Sequence, residues 1–305
     1  MFSVGGARLR ELSAYPFPFL LLDFARLGEQ AVRLFRYLYT ENDPAVHAFL
    51  RLDGSPAIRR AATEKRRRET MLFFYIRHGE PIYDPDSLTP QGHRQAEALA
   101  KRLALFGIQR VYASSSERAK MTAQPLCDLL RLEPVILDWC NESHAGKDFF
   151  SGDLHMWYFQ HPEWKKKFLS PEVLALGRRW YDHPDFSGTT FREGTLRIDR
   201  ETDAFFASLG YEHDREKGYY LPVAPQEERV ALFAHQGFGE SFLSSLLDIP
   251  YPLFSTHFDF GHSSMSVIEF RVDGGVVIPR ALQVANDAHL YREGLPLHYH
   301  NRLRF

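Results

Sequence analysis

Apolar residues change their spacing along this chain, and the change falls near residue 71. Before it, Leu20, Phe24, Leu27, Ala31, Leu34, Phe35 and Leu38 recur at helical spacing, which predicts an amphipathic helix. Asp43 and Pro44 read as the N-cap and first residue of a second, short helix. From Met71 onward, apolar runs alternate with helical stripes. Leu72 to Ile76 is continuously apolar, as a strand covered on both faces should be. Thr89 and Pro90 open a helix whose stripe is Ala96, Leu99, Ala100, Leu103 and Phe106, and Gly107 ends it. A strand over Val111 to Ala113, a helix over Ser116 to Leu132 interrupted by Pro125, and a strand over Val135 to Leu137 follow. Further on, helices are predicted at Leu196 to Leu209 and Gly239 to Leu247. Strands are predicted at Val230 to Ala234, Met265 to Phe270 and Val276 to Ile278. Strands separated by helices of this length predict an α/β fold, a three-layer α/β/α sandwich around a mostly parallel sheet.

Two regions stand apart from that alternation. Residues 1–70 form an expected helical N-terminal extension, and Met71, directly before the first strand, marks them as accessory or as an upstream start to a domain over 71–305. Between Glu142 and Val230 the chain is rich in Phe149, Phe150, Trp157, Tyr158, Phe159, Trp164, Phe168, Trp180 and Tyr181. An insert over about 144–228 of this composition suits a lid over a site or a subsidiary core, and the pattern does not choose between them.

Composition narrows the function classes. Of 305 residues, 37 are basic and 39 acidic, a formal net charge of −2, so no global field draws the chain to nucleic acid or an anionic membrane. Arg59, Arg60, Lys65, Arg66, Arg67 and Arg68 cluster, but without interleaved aromatic residues they read as a solvated face. Lys165, Lys166 and Lys167, between Trp164 and Phe168, suit either a second anionic group on a substrate or a solvated charged face, and the second is the expectation. Two cysteines, Cys127 and Cys140, have neither disulfide-framework nor metal-ligand spacing, which predicts a reducing, cytoplasmic compartment. The apolar stretch Tyr15 to Leu22 holds two prolines and has no small-residue cleavage site behind it, so neither a signal peptide nor a membrane span is expected. His298 and His300 lack further ligands, and no metal site is expected.

Chemistry concentrates at three predicted strand ends. Arg77, His78, Gly79 and Glu80 follow the first strand, where open α/β sheets bind ligands. Ser114, Ser115, Ser116, Glu117 and Arg118 follow the second, with Arg118 in the first turn of a helix whose free amides favour anions. His235, Gln236 and Gly237 follow the strand ending at Ala234. Two arginines and two histidines around one point make a pocket for a dianion. Gly237 and Gly239 resemble part of a dinucleotide fingerprint, but Phe242 occupies its third glycine position. Asn141, Glu142 and Ser143 form a glycosylation sequon that a cytoplasmic chain would not use.

These pieces together resemble the histidine phosphatase superfamily, which includes cofactor-dependent phosphoglycerate mutases and many small phosphatases. The resemblance runs from about Met71 to Phe270: R-H-G-E at Arg77 to Glu80, L-T-P-Q-G-H-R-Q-A at Leu88 to Ala96, S-S-S-E-R-A-K-M-T-A at Ser114 to Ala123, N-E-S-H-A-G at Asn141 to Gly146, and H-Q-G at His235 to Gly237. It implies that His78 attacks phosphorus and becomes phosphohistidine. Arg77, Arg118 and His235 would hold the phosphate oxygens, and Glu142 would be the proton donor, with Glu80 and Glu117 as rivals. The implied chemistry needs no metal or organic cofactor, and the implied partner is a small phosphorylated metabolite.

Where the mutases continue with S-x-W-N, this chain has Pro81, Ile82, Tyr83 and Asp84, and the link to Leu88 is too short for the mutases' R-F-x-G-W segment. An aspartate at 84, near the phosphate, would disfavour a tight double-phosphate site. Hydrolysis is therefore expected over mutase transfer, and the rival from another class is an inactive binding protein on the same fold.

Overall fold

A computed structural model describes residues 70–298. The two helices and the arginine-rich stretch expected before residue 70 lie outside the described residues, as does His300.

The described chain enters with β1 (Thr70–Arg77), whose side chains alternate between two buried layers. Phe73 and Tyr75 join one cluster, Phe74 and Ile76 the other. A hairpin of β2 (Pro81–Tyr83) and β3 (Asp86–Leu88) leads into α1 (Pro90–Phe106). The caps of α1 are those its sequence specifies. Thr89 Oγ1 accepts the Gly92 amide, Pro90 stands in the first turn, and Gly107 closes the helix at φ 67°. Next come β4 (Arg110–Ser114), α2 (Glu117–Leu130), which carries Pro125 within it, and β5 (Val135–Leu137).

The insert opens with α3 (Glu142–Phe149), the small hairpin β6 (Phe150–Ser151) and β7 (Met156–Trp157), and the short helices α4 (Pro162–Phe168) and α5 (Pro171–Ala175). A long helix, α6 (Phe191–Ser208), begins five residues before its predicted start because buried Phe191 anchors it there. A second hairpin, β8 (Tyr211–Asp214) and β9 (Tyr219–Pro222), precedes β10 (Arg229–Ala234) and α7 (Gln236–Leu247). The described chain ends through α8 (Tyr251–His257), β11 (Met265–Asp273), β12 (Val276–Val277), β13 (Arg280–Asn286) and α9 (Ala288–Arg292).

The strands form a nine-stranded sheet in the order β5-β4-β10-β1-β11-β12-β9-β8, with β13 also paired to β11. Helices α1 and α2 pack one face, and α6 and α7 pack the other, giving the expected three layers. Parallel pairing is confined to β5, β4, β10 and β1; from β11 outward the pairing is antiparallel. The sheet is thus mixed, and its parallel half brings the C-terminal ends of β4, β10 and β1 side by side.

Aromatic residues of the insert form a core. Phe168, Trp180, Phe186, Phe191 and Tyr251 are buried against one another, with Trp180 stacked on Tyr251 at 5.4 Å. One ring, Trp157, instead reaches the first turn of α7: a Cβ on Gly237 would lie 2.2 Å from its ring. The hairpin of β8 and β9 is tied down by charge. His213, its side chain fully enclosed, lies between Asp203 at 3.0 Å and Asp248 at 2.8 Å, and Arg215 also pairs with Asp203 at 2.7 Å. Among the described residues, no helix is long and apolar enough to cross a membrane.

Candidate active site

The backbone sets the site before any side chain does. In β1 and β10, Arg77 is in register with Ala234, so His78 and His235 emerge side by side from the ends of neighbouring parallel strands. The His78 amide donates to the Ala234 carbonyl at 3.0 Å, and the Tyr75 hydroxyl donates to the carbonyl of His235. The two imidazoles lie 5.2 Å apart, centre to centre, both buried. Gly79 is required next to His78 by close approach: a Cβ there would sit 2.7 Å from the Gly92 carbonyl oxygen of α1. Its amide donates to Thr122 Oγ1 at 2.9 Å, which ties the loop to α2.

The His78 tautomer follows from one contact. Nδ1 lies 2.7 Å from the Gly79 carbonyl oxygen, an acceptor only, so Nδ1 carries the proton and Nε2 keeps its lone pair. Burial, then the charge of Arg77, holds the imidazole's pKa well below the ordinary histidine value, so the ring is neutral at pH 7. His235 is depressed in the same way by burial, then by Arg118 and Arg77. Its Nε2 lies 2.8 Å from Ser114 Oγ and its Nδ1 3.7 Å from Glu142 Oε2.

Two guanidiniums complete the cluster. Arg77, buried, donates to the Phe260 carbonyl and to Nε2 of His262 at 2.9 Å. Arg118 donates through Nη2 to Glu142 Oε2 at 3.0 Å and through Nη1 to Asp86 Oδ1 at 2.9 Å, and lies over the Tyr83 ring at 5.5 Å. Helices α2, α3 and α7 begin at Glu117, Glu142 and Gln236, so three helix N-termini open on this region. Glu142 Oε1 accepts the Gly237 amide at 3.1 Å, in that last helix's first turn.

The structure brings together Arg77, His78, Arg118, Glu142 and His235. It separates the rival carboxylates from them: Glu80 accepts the Thr89 hydroxyl at 3.0 Å at the start of α1, and Glu117 is exposed and paired with Lys120. One expectation needs correction. The anion beside the arginine is Asp86, not Asp84, because the hairpin turn leaves Asp84 exposed while the pairing of Tyr83 with Asp86 turns the latter toward α2. His262 was also unforeseen. Its ring lies 5.7 Å from that of His78, brought there by the loop before β11.

Ligand atoms of His78, Glu142 and His235 lie within 4.8 Å of one another, a spacing that three-ligand metal sites also use. Two guanidiniums beside those atoms favour an anion over a dication at the same point.

Neutral buried imidazoles make stability depend on pH. The unfolded chain takes up protons on these rings near pH 6.5, whereas folded His78 and His235 do not, and folded His289 does so only at about 4. Their contribution is therefore lost as pH falls below about 6.5. His213, raised by Asp203 and Asp248 against the opposing effect of burial, contributes in the reverse sense, fully at acid pH and less as pH rises through its own value. With three rings against one, the urea midpoint is expected to be lower at pH 5 than at pH 7. An equal or higher midpoint at pH 5 contradicts the neutral state of His78 and His235.

Residues 73–208 match the model of the histidine phosphatase superfamily, branch 1. Over 89 residues the chain is 33% identical to a PE-PGRS family protein of Mycobacterium tuberculosis; the match covers 26% of this chain and 15% of that protein's length. Three similar solved structures are more distant in sequence. A phosphoserine phosphatase from Entamoeba histolytica in complex with 3-phosphoglyceric acid is 15% identical, with a TM-score of 0.45, over 72% of this chain and 99% of that one. A mycobacterial glucosyl-3-phosphoglycerate phosphatase in complex with VO3 is 18% identical, with a TM-score of 0.46, over 70% and 97%. A putative alpha-ribazole-5'-P phosphatase from Escherichia coli is 21% identical, with a TM-score of 0.44, over 71% and 98%. Arg77, His78, Arg118 and Glu142 all fall inside the stretch that the family model matches, and His235 lies beyond it on the neighbouring strand. The likeness to the histidine phosphatase superfamily is thus carried by residues 73–208, which hold four of the five clustered side chains.

Proposed function

We propose that this protein is a phosphatase that hydrolyses a small phosphate monoester, a sugar, acid or nucleotide phosphate, through a phosphohistidine at His78, and that residues 71–305 carry the activity with 1–70 as an accessory segment. The observation that carries this reading is the His78 Nδ1 contact to the Gly79 carbonyl at 2.7 Å, which leaves Nε2 as a neutral nucleophile among Arg77, Arg118 and His235. In the first step the Nε2 lone pair forms a bond to phosphorus while the ester P–O bond breaks, and Glu142 gives its proton to the departing oxygen. In the second step a water attacks phosphorus, Glu142 takes the water's proton, and the P–N bond breaks to release phosphate. A bound dianion would take the place of Glu142 on Arg118 Nη2, which leaves its carboxyl free for proton transfer. Arg77 and Arg118 supply positive charge and neutral His235 a ring N–H to the equatorial oxygens, and stabilising charge there is the main catalytic demand of phosphoryl transfer.

Hydrolysis is favoured over mutase transfer because the segment after Glu80 is a tight hairpin that places the Asp86 carboxylate on Arg118. Assay of p-nitrophenyl phosphate tests the reading, beside conversion of 3- to 2-phosphoglycerate as the mutase control. Wild-type protein that turns over neither substrate rules the enzyme out, and efficient phosphoglycerate conversion favours the mutase. The proton-donor role has its own test. Glu142→Gln is expected to slow alkyl phosphate hydrolysis about a hundredfold or more, and p-nitrophenyl phosphate far less, because nitrophenolate leaves without a proton. Equal losses on both substrates would assign the proton to another group.

A further inference from the structure

Asp86 occupies donors that a phosphate would otherwise take. Its Oδ1 accepts from Arg118 Nη1 at 2.9 Å and its Oδ2 accepts the backbone amide of Glu117 at 2.8 Å, at the start of α2. Both are the kind of group that binds anions at a helix N-terminus, a charged guanidinium beside an amide with no acceptor within its own helix. Glu142 holds the other end of the same guanidinium, at Nη2. The Arg118 guanidinium is therefore paired with two carboxylates, Asp86 at Nη1 and Glu142 at Nη2.

The two carboxylates differ in what surrounds them. Glu142 lies 3.7 Å from His235 Nδ1 and takes the Gly237 amide, on the side of the nucleophile. Asp86 has neither contact; it rides on the hairpin of β2 and β3, at the far edge of Arg118. A dianion that displaces Glu142 from Nη2 leaves Asp86 in place on Nη1. The guanidinium is then held in one orientation by its own chain while its charge is half spent.

We propose that Asp86 is a positioning residue and a built-in counter-anion: it fixes Arg118 for phosphoryl transfer and weakens the pocket's hold on inorganic phosphate, so that product leaves. This rests on the phosphatase reading of the site. The aspartate trades binding of the dianion for its release, since a fixed negative charge on the same guanidinium repels every bound phosphate alike.

Asp86→Asn removes the charge and keeps the orienting contact, because its amide oxygen still accepts from Arg118; its NH2 then faces the Glu117 amide, so that second contact is given up. The probes are inorganic phosphate and orthovanadate, with binding followed by titration calorimetry and inhibition of p-nitrophenyl phosphate turnover. Asp86→Asn is expected to bind both anions roughly tenfold tighter than wild type and to show a lower KM, without a rise in kcat. Asp86→Ala, which loses the orienting contact as well, is expected to lose kcat beyond the Asn variant. Unchanged or weaker anion binding in Asp86→Asn overturns the proposal, and if both variants bind weakly while their circular dichroism stays native, Asp86 is only a structural brace. A wild-type protein that neither hydrolyses the ester nor binds phosphate defeats the phosphatase reading itself, and this proposal with it.

Discussion

Replacing His78 by alanine is expected to lower kcat on p-nitrophenyl phosphate by at least about a thousandfold, because the variant lacks the nitrogen that attacks phosphorus in the proposed mechanism. The fold should survive, since the strand is held by its backbone. The Arg77 amide donates to Ser264 and the Ser263 amide to the His78 carbonyl, contacts that do not involve the imidazole. Wild-type enzyme quenched in alkaline denaturant should carry a phosphoryl group that is stable in base and lost on acidification, and the variant should carry none. Turnover retained in His78→Ala, with native circular dichroism, would transfer the role elsewhere, and His262 would be the first candidate at 5.7 Å.

The second large effect concerns the insert. Trp180→Ala removes an indole that is 1% exposed and touches Phe168, Phe186, Phe191 and Tyr251. Loss of a buried aromatic of this size costs about 3–5 kcal/mol. For a domain of this length that corresponds to a drop of roughly 10 °C in Tm. A mobile cover would behave differently, changing kinetic constants and leaving Tm near its wild-type value. Thermal unfolding followed at 222 nm separates the two, and a shift of less than about 2 °C would favour a lid over a subsidiary core.

Legibility in the sequence tracked the physical origin of each feature. The β1 strand and the α1 helix could be read because their signals are local: an unbroken apolar run, and a threonine, a proline and a glycine that satisfy helix ends. The convergence of Arg77, His78, Arg118 and His235 could be read because parallel strands place their C-terminal ends on one edge. What escaped was set by tertiary pairing. In β13 the apolar residues Leu282 and Val284 face solvent and Gln283 is half-buried, so its hydrophobic alternation points the wrong way. The β8 strand reads Tyr-Glu-His-Asp, polar because its charges are matched by Asp203, Asp248 and Lys217 rather than by water alone. Asp86 and His262 each meet an arginine from a distant stretch of chain, and neither carries a local signal of that partnership.

The site has a stiff half and an adjustable half. His78 and His235 continue two strands that share hydrogen bonds residue by residue, so when the sheet flexes the two rings move as one piece and their separation is conserved. The carboxylates belong to the other half, Glu142 on the first turn of α3 and Asp86 on a three-residue strand at a hairpin edge. In the proposed reaction, changes in the size of an alcohol leaving group would be absorbed by shifts of those two peripheral elements, while the distance travelled by phosphorus would stay set by the sheet.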